Sequence, residues 1–284
     1  MPQTSSLAAR TTATRTDAAR PGLRGVLRAC LAGFAALWSS AAFAAEPESC
    51  PRLISWGTPR IQYASAQAEQ VRLDFVGHAS FVIETAGGVR VATDYNDYVK
   101  APPPLDAITM NKAHSTHFTN YPDPSIKHVL RGWNPDGGDV THDVRVGDMR
   151  IRNVQTNIRD WSRGTDYLGN SIFVFESGQI CIAHLGHLHH ELTPEHIRQL
   201  GQIDVLLVPV DGSYTLDIDG MMNVIDKIGP RVIVPMHYFN RSTLESFLGR
   251  VSARWDVERR DQPSLLLVRD ALPVKTKVIV LPGR

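Results

Sequence analysis

The 284-residue sequence lacks an excess of either charge, and after residue 45 it lacks a long apolar segment. Its 30 Lys and Arg residues are balanced by 29 Asp and Glu, which gives a net charge of +1. Such a balance, without a polybasic segment, argues against nucleic acid as a partner. Because no later stretch reaches the roughly 18 consecutive apolar residues of a membrane-spanning helix, we expect no membrane span in the mature protein.

Cysteine is also scarce, since the chain has only 3. Cys30 lies in the N-terminal segment described next, which leaves Cys50 and Cys181 for the mature protein. In an oxidising compartment these two could form a disulfide. Alternatively, Cys181 is a small buried residue of an apolar run. Spacing alone leaves both possibilities open.

The N-terminus contains the three parts of a secretory signal peptide. Several arginines precede an apolar stretch at residues 29–44, and this stretch ends in the small-residue pattern Ala-x-Ala. A basic region, a short apolar region and a small-residue end are typical of signal peptides. We therefore predict a signal peptide at residues 1–45, cleavage near Ala44 or Ala45, and a periplasmic or secreted protein. The oligomeric state is not predicted.

The mature chain of about 240 residues suits one large domain. Residues 46–70 are rich in Pro, Ser and Ala and are expected to form an irregular lead-in, followed by one domain at residues 71–284. Its first half favours short strands and hairpins, and its second half favours buried strands that alternate with helices. The predicted class is α/β, with two sheets covered by helices. Strands are predicted at 71–76, 81–85, 89–93, 107–110, 144–146, 149–154, 171–176, 179–183, 205–210 and 232–236; helices are predicted from Pro194, at 221–228 and at 242–255, with one helical turn at 126–131.

Four histidines each follow the C-terminal end of a predicted strand, and we call them the histidine quartet: His114, His117, His187 and His237. The ends of strands that face one edge are where α/β folds collect functional groups. A single histidine is more often a hydrogen-bonded core or surface residue. Imidazole is, however, a common zinc ligand, and ligands from separate loops are typical of catalytic zinc sites. The quartet is therefore predicted to converge on a metal ion.

Five segments carry recognisable motifs in chain order: FVGHASFVIE at 75–84, VATD at 91–94, IAHLGHLHH at 182–190, DVLLVPVDG at 204–212 and PMHY at 235–238. Together they resemble the metallo-β-lactamase superfamily, in particular its branch of ascorbate-6-phosphate lactonase-like metal-dependent hydrolases. The resemblance extends over nearly all of the mature chain. It implies an αββα sandwich of two mixed β-sheets covered by helices, and a metal-dependent hydrolase activity.

The chain departs from the family's metal motif, H-x-H-x-D-H. Lys112 stands at its first histidine and Thr116 at its aspartate, while the other two histidines are kept. His187 replaces a bridging aspartate, and Asn157 lies near the place of a further histidine. Because the anionic ligands of a two-zinc site are missing, we expect one Zn²⁺; the ligand type also suits iron or copper. Four imidazoles would complete a tetrahedral zinc site, so one should contact the substrate or act as a fifth ligand.

Other polar residues are assigned roles around this site. Lys112 is predicted to supply positive charge for an oxyanion or a phosphate, and Asp211 to act as a general base. The alternative for Asp211 is a turn residue before Gly212. His189 and His190 are expected in a solvated loop. Five residues are expected to lie behind the ligands and to orient the ligand side chains: His78, Asp94, Thr116, Asn157 and His184.

The sequence thus predicts an exported metal-dependent hydrolase that uses a metal-activated water. Its small-molecule substrate is expected to be an ester, a lactone or a phosphodiester. The alternative is a non-catalytic or metal-binding protein that retains the fold with a degenerate site, including an iron or copper redox protein. The replacements in the motif are polar rather than apolar, which favours the hydrolase.

Overall fold

The structure is a computed structural model that describes residues 70–160, 162 and 164–283. The predicted signal peptide and all of the lead-in except Gln70 lie outside these residues. No helix in this part of the chain is long and apolar enough to cross a membrane. The strands, in chain order, are β1 (Gln70–Gly77), β2 (Ser80–Thr85), β3 (Arg90–Ala92), β4 (Ala107–Met110), β5 (His128–Arg131), β6 (Asp143–Val146), β7 (Met149–Arg159), β8 (Thr165–Ser177), β9 (Ile180–His184), β10 (Val205–Pro209), β11 (Val232–Met236), β12 (Asp256–Arg259), β13 (Ser264–Val268) and β14 (Lys277–Val280). The helices are α1 (Pro194–Leu200), α2 (Ile218–Ile228) and α3 (Arg241–Val251), and a short 3₁₀ turn lies at Arg269–Ala271.

The strands form two mixed sheets. A six-stranded sheet has the order β13-β1-β2-β3-β4-β5, and an eight-stranded sheet has the order β12-β14-β11-β10-β9-β8-β7-β6. In the first, β3, β4 and β5 are parallel and the other pairs antiparallel. In the second, the strands from β12 to β9 are parallel and those from β9 to β6 are antiparallel. The predicted fold class is confirmed.

The main core lies between the sheets and continues under the helices. In β10, Val205 and Leu207 pack into the inter-sheet core, whereas Leu206 and Val208 pack into the outer core. Alternate side chains of a strand point to opposite faces, so a strand buried on both faces is apolar throughout. This explains the continuous apolar run that predicted β10.

All three helices of the described residues contribute to the outer core on the eight-stranded sheet. Met221 of α2 and Phe247 of α3, for example, are buried there. Helix α1 begins at Pro194, as the sequence predicted, and Thr193 caps it. The outer side of the six-stranded sheet is instead covered by loop residues such as Phe118.

The predicted helical turn at 126–131 is wrong, because His128–Arg131 is strand β5. It pairs in parallel with Ala107–Met110 and forms the edge of the six-stranded sheet. Its four residues gain a ladder of hydrogen bonds there, which an isolated helical turn of this length would lack.

Cys181 of β9 is both buried and disulfide-bonded. Cys30 and Cys50 lie outside the described residues. The two possibilities considered for Cys181, a buried residue and a disulfide, are therefore combined in one side chain.

Candidate metal centre

The strand ends of both sheets bring the histidine quartet together. His114 and His117 follow β4 of the six-stranded sheet, and His187 and His237 follow β9 and β11 of the other. Their candidate ligand atoms all lie within 4.8 Å of one another. Nε2 of His114 is 3.0 Å from Nε2 of His187, and Nε2 of His117 is 3.2 Å from Nε2 of His237. The convergence predicted from the strand ends is observed.

Three residues of the site adopt left-handed backbone conformations. The φ angles are 52° at His78, 43° at Asp94 and 54° at His237. Residues other than glycine rarely adopt such angles. Those that do are concentrated where side chains must be held in unusual positions. The backbone N–H of His237 donates to the carbonyl of His78 at 2.7 Å, which ties the loops after β1 and β11 together.

Asp94 lies behind His117. Its Oδ2 is 2.5 Å from Nδ1 of His117, and neither side chain is exposed. Its Oδ1 accepts a hydrogen bond from Nδ2 of Asn111. Burial raises the pKa of Asp94, whereas burial, followed by the charge of His237 and other histidines, lowers the pKa of His117. Asp94 therefore lies within hydrogen-bonding reach of His117, and Asn111 is an additional residue beside this pair.

Asp211 lies behind His237, with Oδ1 3.0 Å from Nδ1 of that imidazole. The same carboxylate accepts hydrogen bonds from the backbone N–H groups of Ser213, Tyr214 and Thr215 and from the Thr215 hydroxyl. Burial by itself raises the pKa of Asp211, but these hydrogen bonds, first that of His237, lower it below its ordinary value. A carboxylate with so many donors is a poor base, and these contacts are those of the alternative considered for Asp211, a turn residue, with Oδ1 also facing His237.

His187 is backed by a residue that the sequence interpretation treated as solvated. His189 is only 8% exposed, and its Nε2 lies 2.5 Å from Nδ1 of His187. Nδ1 of His189 accepts the backbone N–H of Arg159 at 2.6 Å. Burial, and then the charge of Arg159, lowers the pKa of His189 to about 3. The expectation of a solvated loop is wrong for His189; its His-x-His spacing from His187 was the available signal.

Thr116 and His78 also reach the quartet. The hydroxyl of Thr116 lies 2.8 Å from Nδ1 of His114 and 3.1 Å from Nε2 of His78. The ring of His78 lies 4.2 Å from that of His237, centre to centre. Burial, followed by the charge of His237, lowers the pKa of His78 to about 4. Thr116 therefore takes part in the site by hydrogen bonding, although it cannot replace the family's aspartate as an anionic ligand.

The side chains of His184 and Asn157 form hydrogen bonds with backbone groups rather than with the quartet. Nε2 of His184 lies 2.8 Å from the carbonyl oxygen of Ala79, and its Nδ1 accepts the backbone N–H of Gly186, so this ring holds the loop that leads to His187. Asn157 lies at a bulge in β7, where its side-chain oxygen accepts the backbone N–H of Leu168. The hydrogen bonds of the quartet involve other residues, so the structure does not bring Asn157 into the site as predicted.

Lys112 is one of the residues that line a cavity beside the quartet. The cavity has a volume of about 370 Å³, and its lining includes His114, His187 and Tyr214. The ammonium group of Lys112 forms an ion pair with Asp166 at 2.6 Å, and 45% of the lysine side chain is exposed. The charge predicted to act on an oxyanion or a phosphate is thus already paired with a carboxylate that the sequence did not indicate.

The donor set fits a transition-metal ion. With zinc–nitrogen bonds of about 2.0–2.1 Å, neighbouring tetrahedral ligands lie about 3.4 Å apart. Nε2 of His117 and Nε2 of His237 lie 3.2 Å apart, which is close to that spacing. Carboxylates face Nδ1 of His117 and of His237, which directs Nε2 of both rings toward an ion.

Layered mixed sheets with a histidine site across their strand ends define a metallo-β-lactamase class of protein. A family model described as the beta-lactamase superfamily domain matches residues 72–237, more than half of the chain, so this protein belongs to the beta-lactamase superfamily. The resemblance noted in the sequence is confirmed at the level of the superfamily.

Several known proteins are similar to this chain. A UPF0173 metal-dependent hydrolase of Nanoarchaeum equitans is 25% identical over 184 residues, covering 59% of this chain and 84% of that protein. A UPF0173 protein of Pyrococcus furiosus is 27% identical over 184 residues, covering 59% and 83%. A crystal structure from Thermotoga maritima, assigned to the Zn-dependent hydrolases of the metallo-β-lactamase superfamily, is 28% identical with a TM-score of 0.56, covering 74% of this chain and 98% of its own.

Proposed function

We propose that this protein is a metal-dependent hydrolase that works with a single metal ion on an uncharged ester or lactone. The observation that carries the proposal is the quartet itself: four candidate ligand atoms of imidazoles within 4.8 Å of one another, on loops at the strand ends. Membership of the superfamily and the similarity to proteins named metal-dependent hydrolases support the hydrolase part.

The residues behind the quartet prepare it for this chemistry. When bound, the ion would act as a Lewis acid on the substrate oxygen and would activate a water molecule. Asp94 and Asp211 hold His117 and His237 by their Nδ1 atoms. Burial lowers the pKa of His117 and of His114, which favours the neutral form that binds a metal. A single ion needs fewer anionic ligands than a pair of ions. The presence of His187 in place of the family's bridging aspartate is therefore consistent with a single ion.

The cavity beside the quartet favours an uncharged substrate. Its charged side chains are two cations, Lys112 and Arg159, and two anions, Asp160 and Asp166. Lys112 pairs with Asp166, and the Arg159 guanidinium donates to backbone carbonyls such as that of Tyr214. Because neither cation is left without an acceptor, a phosphodiester would gain little here, whereas the apolar surfaces of Ile158 and Tyr214 suit an acyl group.

Metal analysis and a substrate panel test this function. Purified protein that has never met a chelator should contain about one zinc, iron or copper ion per chain. It should hydrolyse esters or lactones faster than phosphodiesters, and His117→Asn should lose both metal and activity. Metal without activity on any substrate of the panel would favour the alternative, a metal-binding protein with a degenerate site.

We also infer that the protein is exported to the periplasm or secreted. The signal-peptide pattern of residues 1–45 supports this, and so does the disulfide of Cys181, because disulfides persist in oxidising compartments. N-terminal sequencing of the protein from its host should find a start near Ala45 or Glu46. A functional protein that begins at Met1 would contradict export by this route.

A further inference from the structure

Three members of the quartet have a side-chain oxygen as the partner of Nδ1. Nδ1 of His117 and of His237 face carboxylates, and Nδ1 of His114 faces the hydroxyl of Thr116. A carboxylate accepts a hydrogen bond, and a hydroxyl can either accept or donate one. Each of these imidazoles can therefore keep its proton on Nδ1 and present the lone pair of Nε2 to an ion.

The partner of His187 is different, because it is another imidazole. Nδ1 of His187 lies 2.5 Å from Nε2 of His189, and Nδ1 of His189 lies 2.6 Å from the backbone nitrogen of Arg159. A backbone N–H can only donate, so Nδ1 of His189 must accept and carries no proton. Its ring proton is therefore on Nε2, and that N–H points at His187.

The direction of these hydrogen bonds determines the tautomer of His187. Because its Nδ1 accepts from His189, its own proton must be on Nε2. This N–H points toward the middle of the quartet, where Nε2 of His114 lies 3.0 Å away. With one nitrogen accepting a hydrogen bond and the other protonated, the ring of His187 has no lone pair left for an ion.

We propose that His114, His117 and His237 alone hold the ion, and that His187 is a catalytic hydrogen-bond donor to the carbonyl oxygen of the substrate. This inference rests on the proposed function. His187 lines the cavity beside the quartet, so its side chain borders the space that a substrate would occupy. A fixed donor there stabilises the negative charge that develops on a carbonyl oxygen during hydrolysis. His189 and the backbone of Arg159 are positioning groups.

Metal titration of matched variants tests which histidines are ligands. Co²⁺ alone is titrated into the wild type, His187→Asn, and the control variant His114→Asn, with binding followed by the absorption of the ion. We expect the affinity of His187→Asn to remain within about threefold of the wild type. His114→Asn should lose about 100-fold or more, because even the loss of a group that only supports a ligand costs about 10–100-fold.

The outcomes separate this inference from the proposed function. If His187→Asn loses as much affinity as His114→Asn, His187 is a ligand and the inference is wrong, while the metal-dependent function stands. If the wild type binds no Co²⁺, Zn²⁺, iron or copper, both fail. Activity gives a second check, because His187→Asn should keep its ion but hydrolyse esters far more slowly.

Two substitutions of His189 test the direction of its hydrogen bond with His187. In His189→Gln, the side-chain oxygen can accept from Arg159 and the amide can still donate to His187. In His189→Glu, a carboxylate can only accept, so Nδ1 of His187 regains its proton and Nε2 becomes a fourth ligand. The Co²⁺ spectrum should be unchanged in the first variant and should show an added nitrogen ligand in the second. Identical spectra for His189→Glu and the wild type would contradict the claim that His189 donates a hydrogen bond to Nδ1 of His187.

A measurement on the wild type does not depend on the folding of any variant. In the Zn²⁺-loaded protein labelled with ¹⁵N at histidine, long-range ¹H–¹⁵N spectra distinguish protonated from metal-bound ring nitrogens. We expect Nε2 of His187 to be protonated and Nε2 of His114, His117 and His237 to be metal-bound. A metal-bound Nε2 at His187 would overturn the proposal.

Discussion

Replacement of Asp94 by Asn has an effect on the metal site that follows directly from the hydrogen bonds. Asp94 is fully buried; its Oδ2 lies 2.5 Å from Nδ1 of His117, and its Oδ1 accepts Nδ2 of Asn111 at 3.1 Å. Asn111 cannot turn its amide round, because its oxygen accepts the backbone N–H of Ser171 at 2.8 Å. An Asn at position 94 must therefore direct its oxygen to Asn111 and its NH₂ group to His117.

The NH₂ group would change the tautomer of His117. Nδ1 of His117 would have to accept, so the proton would move to Nε2 and the ligand lone pair would be lost. Removal of a supporting carboxylate typically weakens metal binding by about 10–100-fold. With the wrong tautomer as well, we expect about 100-fold, which corresponds to about 2.8 kcal/mol. The metal-free protein should not lose stability, because Asn tolerates the φ of 43° and a neutral amide costs less to bury than a carboxylate.

Competition titration with Zn²⁺ and a chelating indicator measures the affinity, and urea unfolding without metal measures the stability. Asp106→Asn is the matched control, since this exposed carboxylate accepts the backbone N–H of Arg90 at the surface. Zinc affinity of Asp94→Asn within about threefold of the wild type would refute the tautomer argument. A loss of more than about 2 kcal/mol in the metal-free protein would refute the argument about burial.

Three further predictions concern other parts of the molecule. Lys112→Met should change kcat/KM for an uncharged ester by about fivefold or less, like the control Lys227→Met, because exposed ion pairs are worth about 0–1 kcal/mol; a 100-fold loss would mean that Lys112 acts on the substrate. Phe247→Ala should lower the free energy of unfolding by about 3–5 kcal/mol in urea titrations while zinc affinity is kept, and a change below 1 kcal/mol would contradict its core position. Zinc at 100 times its Kd should raise the free energy of unfolding by about 2.7 kcal/mol, and His237→Asn should abolish that rise; a stabilisation that survives in the variant would place the ion elsewhere.

The strands that carry the site were predictable because their patterns are local. The run that forms β10 is apolar throughout since both of its faces are covered, and Val232–Met236 shares that property. Strands β12, β13 and β14 were not predicted, because they owe their existence to distant pairing. Ser264–Val268, for example, pairs with Gln70–Asp74, about 190 residues earlier in the chain, and its Leu266 is exposed. Pairing across such a distance leaves little signal in the segment itself.

The site was predictable to a similar extent. Strand ends and family motifs indicated the quartet and Asp94, because each lies in the loop after a recognisable strand. The partners that loops bring from elsewhere were not predicted: Asp166 beside Lys112, and the backbone of Arg159 behind His189. Asn157 was assigned to the site from the family's spacing. In the structure it lies at a bulge in β7, and its side-chain oxygen accepts the backbone N–H of Leu168. Such contacts depend on loop conformations that sequence periodicity does not encode.

The number of metal ions per chain tests the central claim most directly. Elemental analysis is made on protein purified without chelator, beside His114→Asn prepared in the same way. The account predicts about one tightly held transition-metal ion in the wild type and almost none in the variant, because the quartet is the one candidate metal cluster found among residues 70–160, 162 and 164–283. Two tightly held ions per wild-type chain would contradict the single-metal site, and none would contradict a metal-dependent function.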